Sequence, residues 1–275
     1  MKTLVVYYYN ENNTAINNLA FFLKHGIINN DDYQYVFIMN KSKCSINIIE
    51  TERIKVIKQS ADNSDLVSYS LFFSQNPISY FTEFQRFYFI NSCCLGPFLP
   101  ILTNSTWIEL FNKRLETCDL IAPIVEFPPD TKGYSLLGIE EHLNIPFLHA
   151  YMFGTNISSI KLLINIFSEF SNNSEESLIH YERILSTKYI LNNKKIACLL
   201  LAFKDINLND KNLWNYKLWN RGEKTCYELS ENYFGLDLNP LEIIFVKNIP
   251  KIDLYHTNNI SKNLRSQLMN YSIWY

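Results

Sequence analysis

The sequence predicts an α/β protein, a mostly parallel sheet flanked by helices with a C-terminal helical extension. Three observations predict it. Apolar runs of strand length alternate with amphipathic segments of helix length near the amino end, and β-α-β spacing of this kind requires parallel pairing with helices on the faces. The chain has 275 residues, 47% of them apolar, enough to bury one large core. The run Phe87-Tyr88-Phe89-Ile90 stops abruptly in Asn91-Ser92 and turns at Gly96-Pro97 and Pro100, as a buried strand does where its carboxyl end opens into a crevice. Ligands of open α/β sheets sit in such crevices. The same residues also suit a core strand followed by an ordinary tight loop.

In chain order, residues 3–9 are continuously apolar and aromatic, as a buried strand is. After a polar loop, Thr14 can cap a helix that carries Ile16, Leu19, Ala20, Phe22 and Leu23 on one face and ends at His25-Gly26. Residues 34–39 form a second strand and 54–57 a weaker third. The small acidic turn Ser60-Ala61-Asp62-Asn63-Ser64-Asp65 leads into a helix over 66–73. Asp62 and Asp65 lie at its amino end, where a carboxylate satisfies free backbone N–H groups. The other role open to them is to face the crevice and hold a ribose hydroxyl or a base.

Beyond the strand at 87–90, Trp107, Leu110, Phe111 and Leu115 mark an amphipathic helix, and 120–125 a further strand. Residues 127–137, with Pro128-Pro129-Asp130 and Gly133, make a loop of a length that is often functional. Residues 145–153 read as one strand, interrupted by Pro146 and carrying His149, and 156–170 as a helix. Ser174-Glu175-Glu176 opens another helix, on which Leu178, Tyr181, Ile184, Leu185 and Tyr189 keep helical spacing and leave Glu182 off the apolar stripe. Residues 196–203 are a short apolar run, and 204–233 carry no clear element. Asn239-Pro240-Leu241-Glu242 reads as a helix start, with Asn239 as the cap and Glu242 as its reciprocal partner in a capping box. Residues 261–275 suit a last amphipathic helix. No repeat or linker divides the chain, so 1–203 is expected to be one domain and 204–275 an extension packed on it.

Bulk properties narrow the function. Net charge is −2 with no basic block, which argues against nucleic acid. Seven Gly and nine Pro argue against a Gly-rich phosphate loop or a Pro-rich linker. The six cysteines show no CxxC and no zinc-finger spacing, and are expected to be buried free thiols in a reducing compartment. Cys93-Cys94 has no neighbouring His or base to activate it as a nucleophile. The segment MKTLVVYYYN is too short for a signal-peptide core, and no run approaches the roughly 20 apolar residues of a membrane span, so a cytoplasmic protein without a transmembrane segment is expected. There is no G-x-S-x-G elbow to support a hydrolase.

Five short stretches in order, spanning Tyr7 to Lys247, resemble glycosyltransferases of the rhamnan-synthesis type, which have the GT-A-like (Rossmann-like) fold. They are ADNSDLVSY at 61–69, FINSCCLGPFLP at 89–100, FLHAYMFGTN at 147–156, YERILSTKYILNNKKIACLL at 181–200 and YFGLDLNPLEIIFVK at 233–247. The chain departs from the family where Ser64 and Val67 replace glycines and Ala150-Tyr151 replaces Gln-Ser. Its strand end reads Asn91-Ser92-Cys93 where many such enzymes carry the Asp-x-Asp that holds a divalent metal on the donor diphosphate.

The resemblance implies a transferase of the hexosyltransferase type. It would move a sugar, such as rhamnose or another 6-deoxyhexose, from a nucleoside-diphosphate sugar to a saccharide or glycan acceptor with inversion, in polysaccharide biosynthesis. Divalent metal (Mn²⁺ or Mg²⁺) is either held elsewhere or replaced by Ser92, backbone N–H groups and a Lys or Arg. Inverting transfer needs a base, in-line geometry and charge stabilisation on the leaving diphosphate. Glu182 is the candidate base, its other reading being a solvated Glu near a helix amino end, where Glu175 and Glu176 also lie. Tyr8 or Tyr9 would pack against the nucleotide base, although most of the run from Tyr7 to Tyr9 should be core. Asp62, Asn63 or Asp65 would hold base or ribose, and Asn91 and Ser92 would meet the diphosphate. His149 would meet the acceptor or complete a metal site, or is a satisfied core histidine. The alternative is a non-catalytic sugar- or nucleotide-binding homologue that lost the metal site.

Overall fold

A computed structural model describes residues 1–40, 44–59, 63–100, 102–127, 145–170, 181–214, 233–234 and 238–248. From the amino end come β1 (Thr3–Tyr9), α1 (Asn13–His25), β2 (Tyr33–Met39), β3 (Ile54–Lys58), α2 (Asp65–Gln75), the single turn α3 (Ile78–Phe81) and β4 (Arg86–Asn91). The chain continues through β5 (Cys94–Leu95), α4 (Trp107–Leu115), β6 (Leu120–Ala122), β7 (Val125–Glu126), β8 (Phe147–Leu148), β9 (Met152–Asn156) and α5 (Ile160–Phe170). Then follow α6 (Tyr181–Leu191), β10 (Ile196–Cys198), α7 (Pro240–Ile243) and β11 (Val246–Lys247).

Among the described residues, seven strands form one sheet in the order β10-β6-β9-β4-β1-β2-β3. The pairs β1–β2, β2–β3, β1–β4 and β6–β10 are parallel, and β9 alone runs against its neighbours β4 and β6. Every residue of β1 is buried, which explains its unbroken apolar sequence: a parallel strand covered on both faces has no polar side to alternate with. One face is covered by α1 and α4. There the Tyr7 ring lies 5.0 Å from Phe22, and Tyr88 lies 5.3 Å from Trp107. The other face is covered by α2 and α5, where Tyr69 meets Phe89 at 5.2 Å and Phe167 at 5.8 Å.

The mostly parallel α/β sheet flanked by helices agrees with the sequence pattern. Several local expectations do not hold, each for a physical reason. The single strand expected over 145–153 is two strands with a turn between them. The backbone N–H of Leu148 donates to Ser186 Oγ (2.9 Å) and that of Ala150 to Glu182 Oε1 (2.7 Å), so side chains of α6 take donors that a ladder would have used. The strand expected over 120–125 is likewise split at Pro123, which has no N–H to give. Within 196–203 the strand stops at Cys198, and a 3₁₀ turn spans Leu201–Phe203.

Caps also move. Asn12, not Thr14, caps α1, its side chain accepting from Thr14 and Ala15 N–H at 3.0 and 2.9 Å. Asn239 caps α7 through Leu241 N–H (3.0 Å) as expected, but Glu242 closes no box with it. Its carboxylate accepts instead from Leu201 N–H (2.6 Å) and the Tyr233 hydroxyl (2.9 Å). The complete capping box is at α4, between Thr106 and Glu109. Within 204–275, residues 238–248 are stitched to the sheet's rim. There β11 pairs antiparallel with β5, and Asn248 N–H donates to Cys93 C=O at 2.6 Å. The expected loop beyond residue 127, the helix start at 174–176 and the helix over 261–275 lie outside the described residues.

At the opposite edge of the sheet, Asp119 gathers the ends of β6, β9 and α6. It accepts from Lys195 N–H (3.0 Å), Ser159 Oγ (3.0 Å) and Lys194 Nζ (3.3 Å). Burial alone would raise this carboxyl, but those donors hold it below the ordinary carboxylate value. A depressed native pKa means stability that is present above about pH 4, the unfolded value, and lost as pH falls through the lower native value. Asp119→Asn should therefore lower the urea midpoint at pH 7, and the gap to wild type should narrow in acid. A gap that stays constant down to pH 2.5 would show that the carboxylate's charge is not what matters.

Candidate functional site at the carboxyl rim of the sheet

From β1 the strand order runs to β2 and β3 on one side and to β4 on the other. That reversal is a topological switch point, and the crevice outside the carboxyl ends of the two strands is where open α/β sheets bind ligands. The carboxyl ends are Tyr9 and Asn91. Because β9 is antiparallel to β4, the turn at 149–151 comes to the same rim, with Tyr151 C=O accepting from Asn91 N–H at 3.0 Å.

Four segments close a hydrogen-bonded circuit here. Asn91 Nδ2 donates to Asp65 Oδ2 at 3.0 Å, while Asn91 Oδ1 accepts from the Cys93 N–H (3.1 Å) and thiol (2.7 Å). Asp65 Oδ1 accepts from Leu66 N–H at 3.0 Å, and the Tyr181 hydroxyl donates to Oδ2 at 3.4 Å. Glu182, the next residue, holds Ala150 N–H through Oε1. The turn at 149–151 then returns to Asn91. Two carboxylates, Asp65 and Glu182, thus meet at one rim. Burial pushes Asp65 above the ordinary carboxyl value, opposed by the bonds from Asn91 and Leu66 and reinforced by the negative charge of Glu182. Burial, with Asp65 and Glu182 nearby, also pushes the Tyr181 phenol well above 10.

Ser64 caps α2, and Asp65 sits in its first turn with Oδ2 turned off the helix, so Asp65 is more than a cap. Asn63 is fixed by its backbone. Its C=O accepts from the Tyr8 hydroxyl (2.5 Å) and Asn40 Nδ2 (2.9 Å), and its N–H donates to Asn40 Oδ1 (3.0 Å). Tyr8 and Tyr9 are both core residues, 5% and 0% exposed, so neither ring stands open to stack on a nucleotide base. Tyr8 instead pins the loop at Asn63, and the Tyr9 hydroxyl donates to Glu11 at 3.2 Å. Ser92 Oγ accepts from Asn10 N–H (3.2 Å), tying the ends of β1 and β4 together. Asp62 lies outside the described residues. His149 is buried, with Nε2 3.2 Å from Glu126 Oε1 and its ring stacked on Phe147 at 5.5 Å.

Three residues of this rim were not singled out by their sequence. Tyr181 read as one more member of an apolar stripe. Glu126 gave a signal, a lone carboxylate in the apolar run at 120–127. Arg183, whose guanidinium lies 5.4 Å over the Phe147 ring, has no sequence signal of its own.

Among the described residues, no three His, Cys, Asp or Glu side chains gather to hold a metal ion. The carboxylate next to the strand end is engaged by three donors, and Asn91 is engaged at both ends of its amide. Mn²⁺ or Mg²⁺ takes its ligands from oxygens left open to it, and the described residues do not offer such a set.

No protein-family model matches the chain, and no curated protein matches it. Solved structures do resemble it at low identity, and two of them are glycosyltransferases by name. One is the mannosyltransferase Ktr4p from S. cerevisiae, 10% identical with a TM-score of 0.41 over 68% of this chain and 65% of that one. The other is a glycosyltransferase involved in the glycosylation of the major capsid of PBCV-1, 9% identical with a TM-score of 0.39 over 73% of this chain and 84% of that one. This chain thus spans just under two thirds of the Ktr4p chain. Among the described residues no helix is long and apolar enough to cross a membrane.

Proposed function

We propose that the protein is a glycosyltransferase that moves a sugar from a nucleoside-diphosphate sugar to a saccharide acceptor. The observation that carries this reading is the meeting of Glu182 with the Asp65–Asn91 pair at the switch-point rim. In this reading Asp65 binds the ribose of the donor, and Asn91 and Ser92 lie along its diphosphate. Arg183 and Lys247, the latter paired in register with Cys94, are cations at this rim for the leaving group's charge. Glu182 keeps Oε1 on Ala150 N–H and offers Oε2 as base. The acceptor O–H proton passes to Oε2 and the acceptor oxygen bonds the anomeric carbon. The bond from that carbon to the phosphate oxygen breaks, its electron pair leaving with the diphosphate, so the sugar inverts. By the family resemblance, the sugar is of the rhamnose or 6-deoxyhexose type.

The test is release of nucleoside diphosphate by the full chain, given a panel of nucleotide sugars and a mixed saccharide pool, with Mn²⁺ and with EDTA. Acceptor-dependent release is expected. A second reading, a binding protein without turnover, is favoured by the engagement of Asn91 and Ser92 within the protein itself. A nucleotide that raises the melting temperature without any release would establish that second reading.

A further inference from the structure

We infer that the Tyr181 hydroxyl occupies, on Asp65, the place that a hydroxyl of the donor's ribose takes, so that a ribonucleotide donor binds by displacing Tyr181. The inference rests on the reading of this rim as a donor site and goes on to name the class of nucleotide and the group that yields to it.

The three donors on Asp65 are not equally held. Leu66 N–H belongs to the first turn of α2, where it has no partner along the helix axis to return to. Asn91 stands at the end of β4 with its own carbonyl oxygen gripped by both the N–H and the thiol of Cys93. Tyr181 comes from a separate helix, 116 residues away in sequence, and its bond is 3.4 Å long. Strong O–H···O bonds fall at about 2.5–3.0 Å.

A vicinal diol grips a carboxylate with one hydroxyl on each oxygen. An ionised carboxylate has about two acceptor positions per oxygen. On Asp65, Oδ1 has one filled, whereas Oδ2 has both filled, by Asn91 and Tyr181. The diol therefore reaches Oδ2 only where a donor leaves, and Tyr181 is the donor held least. Exchange of one hydroxyl for another keeps Oδ2 satisfied throughout, which a simple withdrawal of Tyr181 would not. Displacement also reaches the chemistry, because Glu182 is the next residue in the same helical turn. The displacement therefore takes place beside the residue that carries the base.

The test is calorimetric titration of the full chain, wild type and Tyr181→Phe, with UDP, GDP, CDP and ADP and their 2′-deoxy forms. Tyr181→Phe removes the competing hydroxyl, so the ribonucleotide that wild type prefers should bind about fivefold more tightly, which is ~1 kcal/mol. The 2′-deoxy form has no vicinal diol and should show no such gain. Tyr181→Met, which also lacks the hydroxyl, should move in the same direction, so a packing fault peculiar to one variant is recognised. Asp65→Asn should lose at least tenfold for the ribonucleotide. Equal or weaker binding by Tyr181→Phe and Tyr181→Met would mean that Tyr181 holds Asp65 for the ligand rather than yielding to it. That result overturns the inference and leaves the glycosyltransferase reading standing. A gain as large for the 2′-deoxy form overturns the diol. No binding of any of these nucleotides by wild type overturns both readings together.

Discussion

Glu182→Gln should leave a folded protein that binds nucleotide and transfers almost nothing. The substitution keeps an oxygen where Oε1 now accepts from Ala150 N–H at 2.7 Å, so the turn at 149–151 and the strand pairing beyond it have no reason to change. It removes the carboxylate's basicity, and general-base catalysis contributes roughly 10²–10⁴ in rate. Turnover should fall by that factor with little change in the diphosphate's dissociation constant. The split matters because Glu182→Ala would confound it: losing the Ala150 bond leaves a buried N–H unsatisfied, at about 1–3 kcal/mol, and loosens the rim as well as the chemistry. Unchanged turnover in Glu182→Gln would assign Glu182 to the fold alone, as the side chain that shapes the turn. Asp65 would then be the rim carboxylate left for the proton.

How far the sequence revealed this arrangement depended on the range over which each residue acts. The unbroken apolar runs of β1, β2 and β4 announce burial on both faces, and their alternation with helices fixes a parallel sheet, so the architecture is readable from local pattern. The abrupt end at Asn91-Ser92 marks a strand terminus at the switch point. The partners of that terminus are not readable. Asp65 looks like an ordinary helix-start carboxylate, and only the fold turns its Oδ2 onto Asn91, 26 residues on. Tyr181 keeps apolar spacing because its ring does pack, while its hydroxyl alone belongs to the site. The break at 149–151 has no Gly or Pro within it to announce it. It is made by Glu182 and Ser186 from another element, a long-range competition for backbone donors that local pattern does not contain. Glu242 fails as a capping-box partner for the same reason, since Leu201 and Tyr233 reach it first.

Trp107→Ala should cost more stability than any change at the rim. Trp107 is 1% exposed and its ring meets Phe22 of α1, Tyr88 of β4, Phe111 of its own helix and Phe245 of the C-terminal segment, the last at 5.2 Å and nearly perpendicular. Its indole N–H donates to Gly26 C=O at 2.8 Å, just past the end of α1. The residue thus joins four segments at one point. Phe245 is delivered to it by strain: Ile244, β-branched, stands at φ 65, a region such residues rarely enter, and Gly96 packs against Ile244 and Phe245 with a backbone (φ 153) that suits glycine. Backbone strain of order 1–3 kcal/mol persists only where surrounding packing outweighs it, and the Trp107–Phe245 contact is part of that packing. Deleting the ring should cost about 3–5 kcal/mol, and for a chain of this size lower the melting temperature by ~10 °C. Against a usual total of about 5–15 kcal/mol, that approaches unfolding. Trp107→Phe separates the contributions, keeping a ring for Phe245 and Tyr88 while stranding the Gly26 carbonyl, and should lose only about 1–2 kcal/mol. If instead Trp107→Ala melted within a degree or two of wild type, residues 238–248 would have to be held by their hydrogen bonds, among them the β11–β5 pairing, Tyr151 to Phe245 C=O (3.1 Å), Phe98 N–H to Ile244 C=O (2.7 Å) and Asn248 to Asn18 (2.8 Å). The rim would then owe its shape to hydrogen bonds rather than to the aromatic core beneath it.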